Sequence, residues 1–300
     1  MNLNFLESFM ERTDFPPEAA EVFMQAGGQL RRGGWEEAMD GVVEFFYENG
    51  FSVATTQPLI DDLAQNTGLS PYTLWELALI FAAETARTAY LERGTSEEIF
   101  YDTFCDLRYK ALECKRVKGV WGNFVAFWYP IFYTCDIVKL GRLEYETRVY
   151  NGPAFQGKGF SLMPGDRVKS IHIPSSGEPF DQRARLESYR KAYQFFQEEL
   201  AGGPLVCMCH SWLLYPEYRN VLPEGSNILS FMEDFHILKV EDSPMDDAWR
   251  VFGASGEGPA EHWPQETRMQ RAFRSHVLAG GKTGSALGVL AFDGEKLLYS

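Results

Sequence analysis

The spacing of apolar residues changes part-way along the chain, and that change limits the folds open to it. Up to about residue 135 apolar residues recur every third or fourth position, as on a helix face; beyond it, shorter runs alternate with a period of two and are broken by Gly and Pro. Ser70-Pro71 places a cap and an N1 proline ahead of Leu74, Ala78, Phe81, Thr85 and Thr88, which share one face of a helix that Gly94 stops. Thr95-Ser96-Glu97-Glu98 has the capping-box form, and Phe100, Phe104, Leu107, Ala111 and Cys114 repeat the spacing, which makes Cys114 a core residue. Trp35, Met39, Val42, Val43 and Phe46 mark a further helix over residues 35–47. The expected N-terminal part is an all-α bundle, residues 1–135.

Residues 136–300 read differently. In 140–150, Leu143, Tyr145, Thr147 and Val149 take one face and Arg142, Glu144, Glu146 and Arg148 the other, the pattern of a half-buried strand that Asn151-Gly152-Pro153 ends. Strands are expected at 167–173, 204–209, 228–240, 249–252 and 286–292, and helices at 181–200, 211–220 and 265–279. This succession makes an α/β or α+β unit with a mixed sheet and flanking helices.

Charge excludes one class of function. The 300 residues carry 28 Lys+Arg against 42 Asp+Glu, a net −14, so no basic nucleic-acid footprint exists. The imbalance is concentrated: residues 1–100 hold 17 acids and 5 bases, residues 101–300 hold 25 and 23. No basic start followed by an apolar run opens the chain, and no apolar run is long enough for a membrane span. The five cysteines are odd in number in a chain too large to need disulfide staples. These features together lead to the expectation of a cytoplasmic protein.

Chemistry-bearing residues gather at two strand ends. Cys207-Met208-Cys209-His210-Ser211-Trp212 lies where an apolar strand gives way to a helix, at the carboxyl end where open α/β sheets place ligands. Cys209 as a nucleophile with His210 as base is one reading, although neighbours on a strand point to opposite faces. Zinc on Cys207, Cys209 and His210 is a second, without a further ligand pair elsewhere. A third has His210 or Ser211 lining a cleft, against core cysteines and a helix-capping Ser211. His172 ends the strand at 167–173 in a comparable position, as a site residue or as an edge histidine. The loop Pro174-Ser175-Ser176-Gly177-Glu178-Pro179 then leads into a helix whose free N–H groups suit a phosphate, while Glu178 and Asp181 suit ordinary capping. Gln156-Gly157-Lys158-Gly159 lacks a following helix and reads as a loop tip, and His236, His262 and His276 read as structural or surface residues.

Five strings in order, LGRLEYE (140–146), IHIP (171–174), CHSWLLYP (209–216), LPEGSNI (222–228) and PQETRMQRA (264–272), resemble a bacterial family with a helical N-acyltransferase N-terminal domain and a GNAT-like C-terminal domain. The resemblance covers essentially the whole chain. It implies a sheet that parts at its middle, with the donor, acetyl-CoA or another acyl-CoA, entering between the strands at 167–173 and 204–209, and no metal. An acceptor amine, on a small molecule or a peptide, would attack the thioester directly. His172 would then lie beside the carbonyl oxygen, and His210, Ser211 or Tyr215 beside the leaving sulfur. Ile173, Ser175, Ser176 and Gly177 would meet the CoA, the last three in place of the superfamily's usual Gln/Arg-x-x-Gly-x-Gly/Ala loop. The acidic helical half would favour a cationic acceptor. A non-catalytic protein holding a small ligand or peptide in the parted sheet, and a thiol hydrolase on Cys209, are the other readings.

Overall fold

The computed structural model describes residues 1–245 and 247–298. The chain divides into two compact units, Met1–Lys139 and Leu140–Ser300.

The first unit is helical: α1 (Leu3–Arg12), α2 (Pro17–Arg32), α3 (Glu36–Glu48), α4 (Val53–Thr67), α5 (Pro71–Glu92), α6 (Glu97–Lys118) and the single turn α7 (Pro130–Tyr133). Ser70 caps α5 as the sequence suggests, whereas α6 is capped by Ser96 alone and not by a box between Thr95 and Glu98. The Ser70 side chain accepts from the Tyr72 N–H, the Ser96 side chain accepts from Ile99 N–H, and Gly119 at φ +77° ends α6. The α5 pattern differs from a one-faced helix: Thr73 to Ala83 are buried all round, because α5 is the central helix against which others pack. Cys114 is fully buried in α6, as its spacing suggests.

Burial on every side of α5 also encloses Glu76. Its Oε2 accepts from Asn123 Nδ2 at 3.0 Å, while its Oε1 has no hydrogen-bond partner. Burial, with the nearby charge of Asp106 adding to it and the Asn123 bond opposing it, pushes the carboxyl well above its ordinary 4.5.

In the second unit β2 (Leu143–Val149), β3 (Phe155–Gly157), β4 (Phe160–Leu162) and β5 (Arg167–His172) precede α8 (Gln182–Phe195) and α9 (Gln197–Leu200). Then come β6 (Leu205–Ser211), α10 (Asn227–Glu233), β7 (His236–Asp242), α11 (Ala248–Phe252), α12 (Arg268–Leu278) and β8 (Gly284–Phe292). With β1 (Ile137–Leu140), which spans the boundary between the units, the described residues form a six-stranded mixed sheet in the order β1-β2-β5-β6-β8-β7, and β3 and β4 form a separate hairpin. The Gln156–Gly159 string is the tip of that hairpin. It packs with Tyr150, Val168 and Val289 on one face of the sheet.

Four expectations are corrected. Residues 228–240 are helix α10 and then β7, because Ser226 accepts from the Ile228 N–H and starts a turn that buries Phe231 and Met232. Residues 249–252 lie in α11, whose Ala248, Val251 and Phe252 share a helical face in a cluster with Trp263. Residues 211–220 are two 3-10 turns, Trp212–Leu214 and Pro216–Asn220, since Pro216 cannot supply the N–H that would continue one helix. Strand β2 does not alternate in burial: Leu143 to Glu146 are all buried, while Arg148 and Val149 are both exposed.

A protonated Glu76 makes stability depend on pH with a defined sign. The folded state keeps a proton that the unfolded chain releases above pH 4.5, so the Glu76 contribution falls as pH rises, by about 1.4 kcal/mol per pH unit until Glu76 ionises in the folded protein. Glu76→Gln keeps the Asn123 bond and does not titrate. In urea titrations across pH, the variant should gain on the parent by that slope, and a pH-independent difference would refute the assignment.

Candidate active site at the parted strands

The parallel pair β5 and β6 holds register only at Lys169–Cys207 and Ser170–Met208. Beyond these, β5 stays on β2 up to the pair His172–Glu144, and β6 stays on β8 up to Ser211–Ala286. Each strand keeps its outer neighbour while the two part from each other, and Ile173 follows directly after the last paired residue of β5.

Register parity sorts the side chains at this opening into two sets. One face carries Lys169, Ile171, Cys207, Cys209 and, from β2, Tyr145. It is closed by α8 and α9: the Tyr145 hydroxyl shares a 2.9 Å hydrogen bond with Ser188 Oγ, and Lys169 Nζ donates to Glu199 Oε2 at 2.8 Å above the Phe196 ring. Both cysteines are buried on this side. Burial pushes the Cys209 thiol up to about 12 and the Cys207 thiol higher still, with Lys169 opposing it, so neither is a nucleophile at neutral pH. His210 points to the other face. This separates it from both thiols, and among the described residues no group of three His, Cys, Asp or Glu side chains could hold a metal ion.

The second face carries Glu144, Glu146, Ser170, His172, Met208 and His210. The His172 Nε2 lies 2.8 Å from Glu146 Oε2, and Arg148 Nε stands 3.5 Å from the other carboxylate oxygen. Across the opening, His210 Nε2 lies 3.1 Å from Ser285 Oγ on β8 and 3.3 Å from Glu241 Oε2 on β7. Lys239, paired with Glu241, holds that carboxyl below its ordinary range, and His210 adds to the effect. His172 and His210 therefore occupy one face on either side of the gap, each with a glutamate. Glu146, Glu241 and Ser285 were not singled out in the sequence; each meets its histidine only through strand register.

Two other proposed site residues have local roles. Ser211 Oγ accepts from Leu213 N–H and caps the 3-10 turn that follows. The Tyr215 hydroxyl donates to Asp242 Oδ1 at 2.7 Å; burial first, then Asp242, pushes it up to about 12. The loop that holds Ser175, Ser176 and Gly177 is pinned at both ends by arginines. Arg142 donates to the Pro174 carbonyl at 2.9 Å, and Arg185 donates to the Phe180 carbonyl at 3.3 Å. Gly177, at φ +77°, supplies the left-handed turn between them, Ser176 Oγ accepts from Glu178 N–H, and Asp181 caps α8 through Ala184 N–H. Away from the opening, the His236 ring lies against Phe155 and His276 meets the Lys282 carbonyl.

Family comparison covers both units. Residues 137–290 match the GNAT-like C-terminal domain, over half of the chain, and residues 4–135 match the N-acyltransferase N-terminal domain. The chain belongs to this GNAT-like family. No curated protein sequence matches it. Its fold is shared with solved acyltransferase structures. A mutant acyltransferase in complex with octanoyl-CoA is 20% identical at a TM-score of 0.72, over 95% of this chain and 87% of that one. An acyltransferase in complex with decanoyl-CoA and teicoplanin is 21% identical at 0.70, over 95% and 87%. No described helix is long and apolar enough to cross a membrane.

The face assignment of the GNAT-like domain is open to chemical test. Cys207 and Cys209 should resist iodoacetamide in the folded protein and become labelled after unfolding in urea, as read by mass spectrometry. Labelling of Cys209 at the rate of a free thiol in the native state would contradict its burial.

Proposed function

We propose that this protein transfers the acyl group of an acyl-CoA to an amine. The observation that carries the reading is the parting of β5 and β6 after Ser170 and Met208, with the pinned loop and α8 following β5. A thioester between the strands has its carbonyl oxygen at the Ile173 N–H, and the CoA diphosphate meets the backbone of Ser175, Ser176 and Gly177 with Arg142 behind it. The acceptor nitrogen attacks the thioester carbon, His172 takes the nitrogen's proton, and the tetrahedral intermediate expels the CoA thiolate, which His210 protonates. Ser211 and Tyr215 serve to shape the turn after β6, since their hydroxyls are engaged by Leu213 and Asp242.

Two features bear on the substrates. Met208, Leu287 and Leu238 are partly buried side chains that pack beside the β3–β4 hairpin, and Met208 and Leu287 share the face of His210. They favour a medium-length acyl chain, in keeping with the octanoyl and decanoyl donors of the related structures. A net charge of −14 favours a cationic amine acceptor.

Calorimetry with acetyl-CoA and octanoyl-CoA tests the donor. Octanoyl-CoA should bind about tenfold more tightly, the gain from burying about two methylenes at roughly 0.8 kcal/mol each; failure of every CoA species to bind overturns the reading. His172→Ala and His210→Ala should each lower kcat by about 10²-fold or more, with acyl-CoA affinity nearly kept. Undiminished turnover in either variant would remove that histidine from the mechanism.

A further inference from the structure

We infer that Phe180 is a positioning residue for the donor: its ring joins the two ends of the loop 174–180 and holds the CoA-binding backbone in shape before the donor arrives. The inference rests on the acyl-transfer reading above for its effect on CoA, and on side-chain geometry alone for the order of the loop. Arg142 touches both ends of this loop. It donates to the Pro174 carbonyl at 2.9 Å, and its guanidinium carbon lies 5.2 Å from the centre of the Phe180 ring. Arg185 meets the same ring at 5.5 Å and donates to the Phe180 carbonyl at 3.3 Å. One aromatic ring thus serves two guanidinium groups, and the Phe231 ring, 5.0 Å away, packs against it as well.

The two arginines are anchored in different places. Arg185 is fully buried, held by Asp234 and by Ser230 Oγ, with the Phe231 ring 5.8 Å from its guanidinium carbon, so it belongs to the frame formed by α8 and α10. Arg142 stands just ahead of β2 and reaches the loop from there. The contacts run in one line from Asp234 through Arg185, Phe180 and Arg142 to Pro174. Phe180 is the link whose loss separates the two arginines while sparing both the Asp234 ion pair and the Pro174 bond.

The consequence for the donor is one of pre-organisation. Ser175, Gly177, Glu178 and Pro179 are exposed, so core packing does little to order them and the anchored ends matter correspondingly more. A loop held in its binding shape has already given up its conformational freedom on folding, whereas a loose one must give it up when the ligand binds, at a cost in affinity. The reacting atoms are untouched by this device. Phe180 therefore acts on donor affinity and leaves the chemical step as it was.

Two variants of the full chain test this, read by calorimetry with octanoyl-CoA, by kcat, and by nitrogen-15 relaxation of the ligand-free protein. Phe180→Leu keeps an apolar contact for Phe231 but offers the arginines no ring face. It should weaken octanoyl-CoA binding by about five- to tenfold with kcat at saturating donor within about twofold, and the backbone order parameters of residues 175–178 should fall from near 0.8 to below about 0.6. Phe180→Tyr restores the ring face and should recover both the affinity and the order, which a general need for bulk at this position would not require. Unchanged order in Phe180→Leu, a loosened loop with unchanged affinity, a loss confined to kcat, or no recovery in Phe180→Tyr overturns the inference. A parent that binds no acyl-CoA overturns the donor reading instead, and the relaxation data then decide by themselves whether Phe180 orders the loop.

Discussion

The second unit is organised around two parallel strands that stop pairing. Interior strands ordinarily satisfy their N–H and C=O groups on both edges, and each buried group left without a partner costs about 1–3 kcal/mol. Here β5 and β6 share two register pairs and then separate. The sheet tolerates this because β2 and β8 continue to pair with them along their outer edges, to His172 and to Ser211 respectively. The opening is therefore made of strand, not of mobile loop.

The surroundings keep that opening in shape. Arg185 of α8 is fully buried, with Nε 2.7 Å from Asp234 Oδ2, a second nitrogen on Ser230 Oγ, and Tyr189 donating to the same carboxylate. A buried ion pair adds little net stability over an apolar replacement, but removing one partner alone costs about 3–5 kcal/mol. Its contribution here is positional: it ties α8 to the end of α10 and, through the Phe180 carbonyl, fixes where the loop after β5 enters the helix. On the same side Lys169 and Tyr145 bind α8 and α9 to the sheet, so these helices do not cover the face of His172 and His210, where the β3–β4 hairpin packs beside Val168, Met208 and Leu287.

Local signals carried much of the fold. Ser70-Pro71 and Ser96 bounded helices through interactions a few residues long, and short apolar runs marked β5, β6 and β8. Trouble arose where short range and long range disagreed. The apolar run at 228–240 suits either a strand or a helix, and only the Ser226 cap splits it. Residues 249–252 are too few to show a period. Glu144 and Glu146 looked solvent-facing because their alternation with Leu143 and Tyr145 suggests one wet face, and the structure buries both. The strand ends that bear His172 and His210 were legible, whereas the glutamates beside them were not, since cross-strand register joins residues 26 and 31 positions apart and leaves no mark in local spacing.

An acyl-CoA held in the gap between β5 and β6, as proposed, would shield the surrounding amides, which hydrogen exchange of the chain with and without octanoyl-CoA reads out. New protection should fall chiefly on residues 171–177 and 209–211, the two strand ends and the loop between β5 and α8. Protection that falls elsewhere while these segments exchange as before would contradict it.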